Sequence, residues 1–159
     1  MICGFAAETL LHQKIKACPK FKPFKLPSSD ALIKMALTTN LGRKRLALAQ
    51  PYLEKEYRLS IQNPDWNCVP AQIILDYVFG IDNIVCFLGY AVAIDVTTNP
   101  YAIDEKVTKL QRLKPLWQQL GIDRACICHI SQGLPSASLW DSLKQTIKAQ
   151  QVVPIAVTV

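Results

Sequence analysis

The stretch Gly80-Ile81-Asp82-Asn83-Ile84-Val85-Cys86-Phe87-Leu88-Gly89-Tyr90-Ala91-Val92-Ala93-Ile94-Asp95-Val96-Thr97 decides how this chain is organised. Two apolar runs flank Leu88-Gly89, a pattern that predicts an antiparallel hairpin. Leu-Gly is a poor pair for a type I′ turn, so a four-residue loop is also open, but either even-numbered loop centred there gives the same pairing. Phe87 then opposes Tyr90 and, five positions farther out, Asp82 opposes Asp95. Alternation puts Asp82, Ile84, Cys86, Ala91, Ala93, Asp95 and Thr97 on one face, and the bulkier Val85, Phe87, Tyr90, Val92, Ile94 and Val96 on the other. Directly opposed Cβ atoms lie about 4.5–5.5 Å apart, where like charges repel. An acid inside the apolar strand AVAIDV costs several kcal/mol without a partner. A hard divalent cation, held by one or two carboxylates with water and phosphate oxygens, is the chemistry that relieves such a pair.

Upstream, Ser28-Ser29-Asp30 supplies cap residues for a helix over 30–38, and a second helix is predicted over 43–59 with Pro51 bending or dividing it. Residues 70–80 (PAQIILDYVFG) suit either a helix or a strand. Asp76, which lies within them, competes with Asp82 for the first-acid position, and Asp82 fits the hairpin better. Downstream, Thr98-Asn99-Pro100 opens a helix with its buried stripe at Ile103, Val107, Leu110, Leu113 and Trp117, bent at Pro115 and ended by Gly121. A strand over ACICHI (125–130), a helix from 135–138 to about 149 and a final strand VVPIAVTV (152–159) complete the series. Cys126 and Cys128 read as small hydrophobes in a buried strand, because no partner ligands stand at zinc spacing.

Of the 159 residues, 50% are apolar and 19% charged, which provides material for one packed domain and excludes wholesale disorder. No apolar run reaches the roughly 18 residues of a membrane span. The N-terminus lacks the charge pattern of a secretory leader, so the cytoplasm is the expected compartment, with the six cysteines reduced. The net charge of +6 is uneven. Residues 1–50 hold nine Lys and Arg against Glu8 and Asp30, whereas 51–159 hold nine against ten acids. KIKACPKFKPFKLP (14–27) mixes lysines with aromatics and prolines as an extended arm would. Lys20, Lys22, Lys25, Arg43, Lys44 and Arg45 are the candidate nucleic-acid contacts.

The series of helix, acid at the start of a strand (Gly80-Ile81-Asp82), hairpin, acid near the end of the next strand (Ile94-Asp95-Val96-Thr97), helix and strand resembles the PD-(D/E)xK nuclease superfamily over residues 52–131. The resemblance implies an α/β fold: a mixed sheet flanked by helices, restriction endonuclease-like, over 51–159, preceded by a basic segment with a helix over 1–50. It also implies a metal-dependent nuclease that hydrolyses phosphodiesters, with Mg²⁺ or Mn²⁺ on Asp82 and Asp95. The partner is nucleic acid, DNA before RNA, and a homodimer is one assembly the resemblance allows. The motif departs from the family in two places: no proline precedes Asp82, and Thr97 stands where the family has lysine. A hydroxyl can hydrogen-bond a water but supplies no positive charge. Relatives of this type sometimes supply the amine from the following helix, where Lys106 lies about 60° from Ile103 on a helical wheel and Lys109 nearer 120°. Lys106 is thus the expected catalytic amine, with Thr97 assisting. Glu54 and Glu56 are the candidates for a further helix acid. The alternative is a catalytically inactive nuclease fold that binds nucleic acid or protein.

Overall fold

The computed structural model describes residues 4–132 and 138–158. A five-stranded mixed sheet in the order β1-β2-β3-β4-β5 forms the middle layer. Its strands are β1 (Lys22–Pro23), β2 (Asn83–Phe87), β3 (Tyr90–Thr97), β4 (Arg124–Ser131) and β5 (Val153–Thr158). β1–β2 and β2–β3 pair antiparallel, whereas β3–β4 and β4–β5 pair parallel. The parallel connections run through helices, as parallel pairing requires.

The helices are α1 (Gly4–Ala17), α2 (Ser29–Leu37), α3 (Asn40–Tyr57), α4 (Ala71–Ile74), α5 (Ile103–Arg112), α6 (Lys114–Gln119) and α7 (Leu139–Lys148). Strand alternation sorts them into two layers. Ile84, Ala93, Ala125 and Ile127 face a core shared with α2 through α6. Val85, Phe87, Val92, Ile94, Cys126, Cys128 and Ile155 face the other core, with Ala7 and Leu11 of α1 and Leu143 of α7. The cysteines are fully buried there, as small hydrophobes. No helix among the described residues is long and apolar enough to cross a membrane.

The hairpin has the expected register, with Phe87 opposite Tyr90 and Asn83 opposite Ile94. Its turn is the tighter of the two alternatives: Leu88 and Gly89 both have positive φ, 49° and 81°. That is the type I′ signature, adopted despite the leucine because primed turns match the twist of the strands. Residues 70–80 resolve as helix: α4 continues into a π-helical turn, Leu75–Phe79, closed by Gly80 in the left-handed region at φ 69°. Its wider winding buries Leu75, Val78 and Phe79 together.

Three expectations change. Lys14 and Lys16 belong to α1, so the arm that runs outside helix begins only after Ala17. Pro51 sits on the exposed side of α3, which continues through it to Tyr57. The boundary at residue 50 falls inside that same helix, and α1, β1 and α2 build into the same sheet and cores as the rest of the chain. The helix start expected at 135–138 lies partly outside the described residues; α7 is capped by Ser138, whose side chain accepts from Asp141 N.

Candidate metal-binding and catalytic site

Asp82 directly precedes β2, delivered there by the left-handed turn at Gly80. Its backbone N–H donates to Ile94 O at 3.0 Å, and its carboxylate Oδ2 accepts from Val96 N at 2.7 Å. The side chain therefore reaches across to the backbone of β3 beside Asp95. Asp95 is itself nearly buried, at 2% exposure, on the β3 face that looks toward α5.

Two amines meet it. Lys106 Nζ lies 2.6 Å from Asp95 Oδ1 and also donates to Val96 O at 2.7 Å. Lys109 Nζ lies 3.1 Å from Asp95 Oδ2. Residues three apart on α5 share a face, and the long stems of both lysines cover apolar surface while their charged ends converge. Asn99 sets the start of this segment, its Oδ1 accepting from Tyr101 N at 3.0 Å. Even so, Asp95 Oδ2 is buried without a hydrogen-bond partner; Lys109 offers it charge but no aligned N–H.

The surplus of negative charge is visible in the acids around it. Burial, reinforced by the charge of Asp95, pushes the Asp82 carboxyl up to about 8, against the opposing hydrogen bond from Val96. Asp76, on the π-helical turn, is raised by burial and then by Asp95, with Lys109, Lys106 and a carboxyl–carboxyl hydrogen bond to Asp82 opposing. Glu8, on α1, is raised by partial burial and then by Asp76, with Lys106 opposing. Glu8, Asp76 and Asp82 line one open cleft of about 300 Å³.

Asp76 is therefore an addition to the expected site. As a strand residue it had no route to Asp95, but as a π-helical residue it meets Asp82. The helix acid that lines this cleft is Glu8 of α1, whereas Glu54 accepts from Gln50 on its own helix and Glu56 is exposed. Thr97 has a different task from the one expected: its hydroxyl is engaged with the backbone of Asn99, at 3.2 and 3.3 Å, closing the turn after β3.

The six basic candidates do not form one patch. Lys20 stands 4.5 Å over the Trp140 ring, on the α1/α7 side of the sheet. Arg43, Lys44 and Arg45 lie on α3, across the sheet. Arg43 donates to Leu37 O and Asn40 Oδ1, and Arg45 to Val78 O and Tyr77 O at 3.1 and 2.8 Å. These arginines brace α2 and the π-helical turn. Lys22, Lys25 and Lys44 are exposed.

The donor set suits a hard divalent cation: carboxylate oxygens, one of them buried and unsatisfied, with burial first and mutual repulsion second raising three of the acids. Among the described residues no three His, Cys, Asp or Glu side chains already converge into a metal cage. Mg²⁺ needs only one or two carboxylates with water and phosphate oxygens. No protein-family model, curated protein or solved structure matches the chain.

Proposed function

We propose that the protein is a metal-dependent nuclease of restriction endonuclease-like type, hydrolysing nucleic acid phosphodiesters with Mg²⁺ or Mn²⁺ held by Asp82 and Asp95. The observation that carries this reading is that the Asp82 carboxylate is anchored on Val96 N, one residue beyond Asp95, whose own carboxylate is met by the Lys106 amine from the next helix. The helix, hairpin, helix and strand series within a mixed sheet supports it further.

The cation, when bound, lowers the pKa of a water and offsets phosphate charge. The protein's own groups do the rest. Asp82 gives up the proton that burial and Asp95 keep on it, becoming a full anionic ligand. Asp76, hydrogen-bonded to it, takes up that proton or passes it to solvent at the cleft rim. Lys106, fixed by Asp95 and Val96 O, has a third N–H free in direction to hold the attacking water or a phosphate oxygen. It supplies the positive charge that Thr97 lacks. Lys22 and the other exposed lysines contact the backbone without reading bases.

The test is cleavage of DNA and of RNA with Mg²⁺ or Mn²⁺ by wild type, Asp95→Asn and Lys106→Met. Loss of at least about 100-fold in both variants is expected; cleavage unchanged in Asp95→Asn overturns the reading. A second reading, an inactive nuclease fold that binds nucleic acid or protein, is favoured by one observation: Lys106 and Lys109 already neutralise Asp95 without a metal. Mn²⁺ titration by calorimetry separates them. An active centre binds Mn²⁺ and loses it in Asp95→Asn, whereas an inactive one is indifferent.

A further inference from the structure

The acid-lined cleft does not end at Asp82. It shares His12, Gln72 and Asn83 with a second cavity of about 430 Å³, which opens between α1, the arm around β1, and β2. The size lies within the range of small-ligand sites, which run from about 300 to 1,000 Å³, and is far below what a duplex needs. Its walls include Phe21, Phe24 and Ile84, and Lys16 and Lys22 also line it.

The two aromatic residues differ. Phe21 is buried and packs on Phe87 and Trp140, with centroids 5.5 and 5.8 Å away, so it is wall. Phe24 is half-buried, lines the cavity and stacks on no other ring among the described residues. Uncharged amide groups stand where the two cavities meet. Gln72 is fixed there by its hydrogen bond to Asp82 O, and the Asn83 amide makes no side-chain hydrogen bond to another described residue. An apolar slot with one unstacked aromatic ring, amide groups at one edge and two lysines has the complement of a single nucleobase with its phosphates. Bases inside a duplex are stacked and cannot enter such a slot.

We infer that this cavity receives one unstacked base of a single-stranded nucleic acid, with Phe24 as the stacking platform and Asn83 and Gln72 at the base edge, so that the adjoining phosphate lies across the acid cluster. The inference rests on the nuclease reading and narrows it to single strands or single-stranded ends. Phe24 is a binding residue in this account; Lys22 contacts the neighbouring phosphate.

Binding measured in EDTA tests the inference apart from cleavage. A fluorescein-labelled thymidine oligomer of about 12 nucleotides, within the usual span of single-strand sites, is compared with a blunt duplex of equal length by anisotropy. Wild type is expected to bind the single strand at least tenfold tighter. Phe24→Leu keeps apolar volume but removes the ring, and is expected to weaken single-strand binding about tenfold while leaving duplex binding and the unfolding midpoint unchanged. Equal affinity for strand and duplex, or an unaltered Phe24→Leu, overturns the inference. So does a mononucleotide binding as tightly as the oligomer, which would make the slot a site for a free nucleotide. Cleavage that survives in Phe24→Leu without strand preference sinks this inference alone; strand binding that depends on Phe24 in a protein that cuts nothing sinks the nuclease reading alone.

Discussion

Lys106 Nζ sits 2.6 Å from Asp95 Oδ1 and 2.7 Å from Val96 O, tying the fourth residue of α5 to two consecutive residues of β3. The lysine is partly exposed and the aspartate almost fully buried, at 27% and 3% of their side chains. Removing one partner of such a pair leaves a buried charge uncompensated, although Lys109 remains at 3.1 Å. Lys106→Met is therefore expected to cost about 1–3 kcal/mol in urea unfolding, and Lys106→Met combined with Asp95→Asn less than the sum of the two. Additive single effects would mean that the contact contributes nothing.

The pH dependence follows from Asp82. Its folded-state pKa of about 8 lies above the ordinary value near 3.9, so the folded chain binds the extra proton between them. The contribution to stability is full below about pH 4, declines as pH rises toward 8, and is flat above. Asp76 and Glu8, both raised, act in the same direction. Metal-free protein is expected to lose on the order of a few kcal/mol from pH 5 to pH 8, and Asp82→Asn to flatten most of that slope. A stability that rises over this interval would contradict the burial of Asp82.

Mn²⁺ bears on the same interval. A cation that binds only the folded state stabilises it in proportion to the logarithm of its concentration over Kd, and it must first displace the Asp82 proton. The rise in melting temperature on adding Mn²⁺ is expected to be larger at pH 8 than at pH 6, and absent in Asp95→Asn. An equal rise at both pH values would place the cation elsewhere.

Leu88 is 60% exposed and holds φ 49°, a region that a leucine enters only at a cost. Leu88→Asn keeps the turn and relieves that cost, and is expected to raise stability by about 0.5–1 kcal/mol in thermal or urea unfolding. A loss of stability would mean that the Leu88 side chain packs favourably after all.

Gly80 supports a prediction of opposite sign. A Cβ there would meet Leu113 Cδ1 at 2.8 Å, and φ 69° disfavours any L side chain. Gly80→Ala is expected to destabilise by about 1–3 kcal/mol and to weaken Mn²⁺ binding as well, since this residue turns the chain from Asp76 toward Asp82. Unchanged unfolding and Mn²⁺ affinity would show that the turn tolerates a side chain.

The hairpin was legible because its period-2 pattern is strict and its centre is marked by Leu88-Gly89; a slip of one residue would have carried Val85, Phe87 and Val92 out of their core. Lys106 was legible from helical geometry. Lys109 was not, because a helical wheel places Cα atoms, whereas four methylenes let an ammonium swing back to the seam. Asp76 was hidden by the winding of residues 75–79. Nothing periodic in LDYVF announces a π turn, whose geometry is fixed by burying Leu75, Val78 and Phe79 against other elements. Glu8 was hidden differently, in a helix whose apolar and polar residues are weakly segregated and whose inner contacts are Ala7 and Leu11.

A π turn accommodates one residue more than an α turn, and such insertions recur at functional sites. Deleting Tyr77, an exposed residue of this turn, would let the segment rewind at ordinary pitch. Either α4 or Gly80 would then have to rotate by about 100° relative to the other. The partnership between Asp76 and Asp82 thus depends on the number of residues between them, and one codon is enough to uncouple the two acids while each keeps its identity.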